Sequence, residues 1–406
     1  MRNRPHQAPP QWWSPKLSRF WVSLCRPFRR MAQRCAHLVN EIQVHGVEHL
    51  RDAMQREQGI LITPNHPGSA DAYIMQHVAD QVGQPFYFMA AWQLFDESKR
   101  LGRFVLRKHG VFSVDREGTD IRAFKQAVQI LSDEPAPLVI FPEGEVYHVN
   151  DRLTPLREGA AAIALSAVRR GQRPLAIVPT AIKYQYLEDP RPELLKVMDE
   201  LETKIFWRPQ RHLDLAERIY RFAEGPLALK ELEYLGSTSA GPLPDRVAAL
   251  RDAVLSQWEE HYGQPKANAT APERIKALRH QIIKRIDAGG DGSDTAQHSN
   301  ALDDVFFCVQ LFSYPGDYVV QSPTIERIAE TIDKFAEDVL GKSRTSVCAP
   351  RRVVVSLGDP IAVDHSPDAA GSSDRKAVVS SLTRQLEERM QRLLDEMPPS
   401  PVSIAD

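Results

Sequence analysis

Acid is missing from the first forty residues, which hold eight Lys or Arg and no Asp or Glu. Cysteine is scarce: Cys25, Cys35, Cys308 and Cys348 are scattered, with no Cys-x-x-Cys pair. That excludes a disulfide framework and a cysteine-based metal centre, and it sets a reducing compartment as the expectation. No long hydrophobic run exists either. The longest uninterrupted apolar stretch near the motifs below, Ala160–Leu165, is far short of the roughly twenty residues that cross a bilayer. No transmembrane helix and no secretory leader are therefore expected, and no metal or cofactor is called for. What is present is a core-forming chain of 406 residues, 42% apolar, long enough for two or three structural units.

The net charge of −2 conceals an asymmetry, because the residues after 40 carry 43 basic and 53 acidic side chains. Within the basic segment Leu17, Phe20, Trp21, Leu24, Phe28, Met31, Cys35 and Leu38 recur at three- and four-residue steps, with Lys16, Arg19, Arg26, Arg29, Arg30 and Arg34 between them. This spacing predicts an amphipathic helix, kinked at Pro27. Two destinations remain open for its apolar stripe, an anionic membrane interface or the protein's own core. No nucleic-acid module follows the basic arm, so no nucleic-acid partner is expected.

Asn65-His66-Pro67-Gly68-Ser69-Ala70-Asp71 follows the apolar run Gly59–Thr63, which reads as a buried strand. Pro64 and Pro67-Gly68 force a turn, and Ser69 is placed to cap a helix starting near Ala70. Asp71 can then hold one imidazole nitrogen of His66 and leave the other to take a proton, the arrangement of a positioned general base. The spacing alone is weak, since thirteen histidines give roughly one His-x4-Asp by chance. His298 and Asp303 share it in a stretch of turn composition, where the histidine is expected to be solvated.

Three further blocks follow in order: Gly110–Arg116, Leu138–Glu145 with Pro142-Glu143-Gly144, and Ala176–Ala181 with Pro179. The series, over roughly residues 40–187, resembles the four blocks of the glycerolipid acyltransferases, whose best-known members are the lysophosphatidic acid acyltransferases. The resemblance implies acyl transfer from an acyl-CoA or acyl-carrier-protein thioester, as co-substrate, to a lipid hydroxyl. It makes His66 and Asp71 catalytic and gives Arg116, Glu143 and Gly144 to the acceptor. The chemistry is compatible: a hydroxyl needs a base, whereas a thiol can leave as thiolate without an acid. Backbone amides near Pro67-Gly68-Ser69 are candidates for the oxyanion. The family commonly continues Glu-Gly with Thr-Arg-Ser, and this chain has Glu145-Val146-Tyr147. One expected cation is gone, and Arg152, Arg157 or Lys183 are equally open as replacements. Arg116 also has a plainer reading, as a surface ion pair with Asp115 or Glu117.

Strands near 58–63, 86–90, 110–114, 137–141 and 175–182 alternate with helices near 71–82, 117–132 and 157–170, which predicts an α/β fold with a largely parallel central sheet and flanking helices. Charged amphipathic helices follow. Arg352–Pro360 then resembles the closing strand of the acyltransferase domain. The expected organisation is a basic amphipathic membrane-interface segment at 1–40, an α/β domain at 41–187, a helical insertion at 188–345 with a flexible loop near 288–300, and a closing strand and helix at 346–398. The expected function is acylation of a glycerolipid acceptor, first of all 1-acyl-glycerol-3-phosphate, by a cytoplasmic protein held peripherally on the membrane. The alternatives are a lysophospholipid or other lipid O- or N-acyltransferase, and a non-enzymatic membrane-associated lipid- or protein-binding scaffold.

Overall fold

Eight strands form one sheet in the computed structural model, which describes residues 11–116, 120–171, 173–263, 269–287, 292–314, 316–341, 348–363 and 372–402. The strands are β1 (Val39–His45), β2 (Gly59–Pro64), β3 (Tyr87–Ala91), β4 (Val111–Val114), β5 (Leu138–Val139), β6 (Leu175–Tyr186), β7 (Arg351–Leu357) and β8 (Ile361–Val363). Their order is β1-β7-β6-β2-β5-β3-β4, with β8 also on β6. From β6 to β4 every neighbour is parallel, whereas β7 and β8 run antiparallel to β6. The fold is therefore mixed α/β with a mostly parallel sheet. Alternation along β2 divides the core: Ile60 and Ile62 pack with Leu50, Ile74 and Met75 on one face, and Leu61 packs with Ala127, Ile163 and Met390 on the other. With both faces covered by helices, the central strands read as continuous apolar runs.

The chain divides into two compact units, Pro9–Asp189 with Ala349–Val402, and Pro190–Cys348. It leaves the sheet after β6 and returns to it as β7, so a mostly helical insertion splits the α/β fold. The inserted unit has its own core, in which Val247, Leu250, Val254 and Trp258 pack with Leu278, Ile282 and Val305. The loop expected near 288–300 is corrected in part. Residues 288–291 lie outside the described residues, but the helix Gly292–Phe312 already covers 292–300. Ser and Asp suit a helix's first turn as well as a loop, and Ala301, Leu302, Val305 and Cys308 supply the buried stripe that selects the helix.

Other boundaries shift for local reasons. β5 is two residues long instead of five: Ile140 N still donates to Ile62 O at 3.0 Å, but Pro142 has no N–H to continue the ladder. Ser69 does not cap; the helix Asp71–Val82 has Ala70 at its N-cap and no side-chain cap bond. β1 and β8 had no clear signal in the sequence: β1 mixes polar and apolar residues and is mostly part-exposed, and β8 is three residues long.

The basic segment forms two helices, Arg19–Leu24 and Arg26–Ala36, that break at Cys25 so that Pro27 falls in a first turn, where it costs no hydrogen bond. Ahead of them Trp13 is buried against Phe95 and exchanges hydrogen bonds with Ser113 of β4. The amphipathic face is inverted. Arg29 and Gln33 are the buried residues of the second helix, while Phe20 (68%), Leu24 (48%), Phe28 (64%) and Met31 (59%) are exposed. Arg29 reaches Asp80 at 3.0 Å and His109 at 3.1 Å, and Gln33 donates to Tyr73 O at 2.8 Å. Those polar anchors fix which face turns inward, and the exposed stripe does not pack on the protein's own core. No helix among the described residues is long and apolar enough to cross a membrane.

Candidate active site

Four turns meet at one edge of the sheet, because β2, β5, β3 and β4 are parallel and their C-terminal ends coincide. β2 ends at Pro64, but its ladder with β6 does not stop there. The Asn65 amide takes the next position, accepting from Ile182 N at 2.6 Å and donating to Ile182 O at 3.0 Å. Asn150 does the same one step further on, at Tyr184 N (2.6 Å) and Tyr184 O (2.7 Å). Two side chains thus extend the sheet and fix the loops that follow β2 and β5.

Asn65 delivers His66, whose side chain is 21% exposed, to the top of the Asp71–Val82 helix, where Asp71 is fully buried. His66 Nδ1 lies 2.7 Å from Asp71 Oδ2, which also accepts from Gly68 N at 2.9 Å. A carboxylate oxygen only accepts, so the imidazole proton sits on Nδ1 and Nε2 carries the lone pair. Nε2 has no protein partner among the described residues. Phe141 stacks on the ring with centroids 4.1 Å apart and holds its plane. Of the amides considered for an oxyanion, Pro67 has none and Gly68 is engaged, which leaves Ser69.

The Pro142-Glu143-Gly144 turn joins His66 to Arg116. Glu143 is 4% exposed; its Oε1 accepts from His66 N at 2.7 Å, and its Oε2 accepts from Thr154 N at 3.1 Å and from the Thr154 hydroxyl. Burial pushes the Glu143 carboxyl above its ordinary range, against the pull of the Thr154 and His66 bonds. Both oxygens are turned to protein donors. Gly144 stands at φ +81°, and a Cβ there would be 2.4 Å from Arg157 Nε, so glycine serves backbone conformation and the close passage of Arg157. Gly144 O in turn accepts from Arg116 Nη1 at 2.6 Å.

Arg116 meets an acid that the plainer reading did not name, while Glu117, one of the two it did name, lies outside the described residues. Arg116 lies 3.4 Å from Glu145 Oε1, and Arg157 Nη2 is 4.0 Å from the same atom. Arg157, one of the three candidate cations, thus stands beside Arg116, and Glu145 sits between the two. Tyr147 lies in the same group, its hydroxyl pKa raised by burial. His298, read as solvated, is half-buried in the helical unit and bonds the Tyr262 hydroxyl at 2.7 Å instead of Asp303. No cluster of His, Cys, Asp and Glu suited to a metal ion occurs among the described residues.

Sequence reasoning missed Asn65, Phe141, Asn150, Thr154 and Tyr184. Only Asn65 and Phe141 carried a signal, by standing next to His66 and Pro142.

Residues 41–183 match the family model described as Acyltransferase. A curated relative, a glycerol-3-phosphate acyltransferase of Alteromonas mediterranea, is 26% identical over 155 residues, covering 36% of this chain. The match spans 18% of that relative's own length.

Proposed function

We propose, for a chain whose residues 41–183 make it a member of the glycerolipid acyltransferase superfamily, that it moves a fatty acyl group from a thioester to the hydroxyl of a glycerolipid at a membrane surface. The observation that carries this reading is the His66 Nδ1–Asp71 Oδ2 bond of 2.7 Å, which leaves Nε2 basic and open at the sheet edge. The acceptor oxygen attacks the thioester carbonyl carbon while Nε2 takes its proton. The tetrahedral intermediate then expels the thiol as thiolate, the C–S bond breaks, and the imidazolium returns the proton to sulfur or solvent. Asp71 keeps the tautomer and stabilises the imidazolium. Glu143 acts on this step from behind, through the His66 amide.

For the acceptor, Arg116 supports a phosphate-bearing head group, for which 1-acyl-glycerol-3-phosphate is the first candidate, and glycerol 3-phosphate is the acceptor in the relative's name. Glu145, placed against Arg116, favours a second reading in which the head group carries less negative charge, as in a lysophospholipid or another O- or N-acylated lipid. The exposed stripe Phe20, Leu24, Phe28 and Met31, flanked by Arg19, Arg30 and Arg34, supports docking on an anionic bilayer surface. A third reading, a scaffold without catalysis, gives no reason for a buried Asp71 aimed at His66. The deciding experiment offers one long-chain acyl-CoA or acyl-carrier protein with a panel of lyso-lipid and glycerol-phosphate acceptors. No transfer to any of them, with folded protein, rules the proposal out.

A further inference from the structure

Both oxygens of the Asp71 carboxylate are used, and one of the partners lies outside every motif. Oδ2 receives His66 Nδ1 and Gly68 N; Oδ1 receives the Tyr184 hydroxyl at 2.5 Å. Tyr184 comes from β6, beyond the point where β2 has ended, and its backbone is gripped from both sides. Asn150 pairs its N–H and C=O on one side, and Val353 of β7 stands opposite it on the other. Its ring is held as firmly. A Cβ on Gly68 would stand 3.4 Å from Tyr184 Cε2, and the Arg351 guanidinium lies 4.6 Å from the ring centroid. Tyr184 and Asp71 are both buried, so no bulk solvent substitutes for the hydroxyl.

We propose that Tyr184 is a positioning residue for His66, holding the Asp71 carboxylate in the single orientation that keeps the proton on Nδ1 and the lone pair on Nε2. The inference rests on the reading of His66 as base. A carboxylate with one buried oxygen left unsatisfied rotates or recruits other donors, and either change loosens the Nδ1–H bond. Burial, reinforced by Asp71, pushes the Tyr184 hydroxyl well above its ordinary pKa, so it remains a donor throughout the working range. Removing the hydroxyl therefore acts on the chemical step through two intervening groups and leaves substrate contacts alone.

The test uses full-length protein with 15N-labelled histidine. The low-field Nδ1–H resonance of His66 is assigned by its loss in Asp71→Asn, and its exchange with water is measured in wild type and in Tyr184→Phe. Exchange should accelerate roughly tenfold in Tyr184→Phe, and kcat should fall by a similar factor with both KM values within about twofold of wild type. Replacement of Tyr184 by 3-fluorotyrosine, a stronger donor of nearly the same shape, should slow the exchange and covers the case in which Tyr184→Phe does not fold. Wild-type exchange in these variants, with or without lower heat stability, makes Tyr184 a packing residue and overturns the inference. A wild-type protein that transfers no acyl group defeats the acyl-transfer reading instead, and the exchange measurement, which needs no substrate, still decides this one.

Discussion

Glu143 Oε1 and the backbone amide of His66 meet at 2.7 Å, across 77 residues of chain. The bond ties the turn after β5 to the turn after β2, and Thr154 occupies the other carboxylate oxygen. The acid that the resemblance gives to the acceptor thus has both oxygens on protein donors, one of them the His66 amide. Glu143→Ala should therefore lower kcat at least tenfold while the acceptor KM changes little, because the lost bond positions His66. Glu143→Gln keeps an acceptor for His66 N but sets an amide against the Thr154 donors, and should fall between. Steady-state kinetics in both substrates check this; a raised acceptor KM with intact kcat would return Glu143 to the acceptor.

His66→Ala should cost at least about a hundredfold in turnover, the usual size of a general base's contribution, with little effect on folding. Asp71→Asn should cost nearly as much, since a neutral amide cannot stabilise the imidazolium or fix the same tautomer. His298→Ala is the control and should leave turnover unchanged, because its imidazole is occupied by Tyr262 in the helical unit. Single-turnover rates from acyl-CoA distinguish the three.

The His66–Asp71 contact was readable in the sequence because the two lie five residues apart across one strand–turn–helix. The supports around them were not. Tyr184 is 113 residues from Asp71, and only the pairing of β6 beyond β2 brings the two together. Glu143 was visible as a motif acid, but its direction depends on Thr154, which follows a turn with no regular spacing. The parallel strands read correctly as apolar runs, since burial on both faces leaves no alternation to interpret. Periodicity found the amphipathic stripe of residues 16–38 but could not say which side faces inward. That was decided by Asp80 and the Tyr73 carbonyl, distant partners that make burial of Arg29 and Gln33 affordable.

Membrane docking is best tested by point changes, because removing residues 1–40 would also remove buried Trp13 and the start of β1. Phe20→Ser combined with Phe28→Ser should reduce partitioning onto anionic vesicles by at least tenfold, since each large side chain contributes about 1.5–3 kcal/mol when fully buried. Arg30→Gln with Arg34→Gln should weaken binding at low salt and matter less at high salt. Vesicle sedimentation with a matched thermal melt reads both. Equal sedimentation of the Phe20/Phe28 variant and wild type would mean that the stripe does not enter the bilayer.

The anchor of the second N-terminal helix has a pH dependence of defined sign. Burial chiefly, and Arg29 to a lesser degree, lower the His109 pKa, while the Val105 carbonyl and Asp80 oppose them. The charged and titratable groups around it are Arg29, Asp80, Arg26 on Asp80, and His77, itself lowered by burial. A neutral His109 accepts from Arg29; a protonated one places two cations 3.1 Å apart. The unfolded histidine titrates near 6.5, so this contribution is whole above about pH 6.5 and is lost as pH falls toward the folded-state value, at no more than about 1.4 kcal/mol per pH unit. Urea unfolding between pH 7.5 and 5, an interval of roughly the width one histidine needs to titrate, should show stability falling with acid, and His109→Gln should flatten the slope. An unchanged slope in that variant assigns the dependence to other groups.

The acceptor turns on Glu145, which lies 3.4 Å from Arg116 and 4.0 Å from Arg157. It is half-exposed, so the ion pairs contribute little to stability, but they place a negative charge where a phosphate would meet Arg116. Glu145→Thr should free both guanidinium groups and lower the KM for lysophosphatidic acid or glycerol 3-phosphate about threefold to tenfold. Zwitterionic and neutral acceptors should change less, having less net charge for Glu145 to repel. Arg116→Ala should raise the acceptor KM far more than the acyl-donor KM, and Arg116→Lys should restore part of the loss, since an ammonium cannot reproduce the bidentate fork. A head-group preference that survives Glu145→Thr unchanged would show that Glu145 does not govern the acceptor, and would remove the argument against a phosphate monoester.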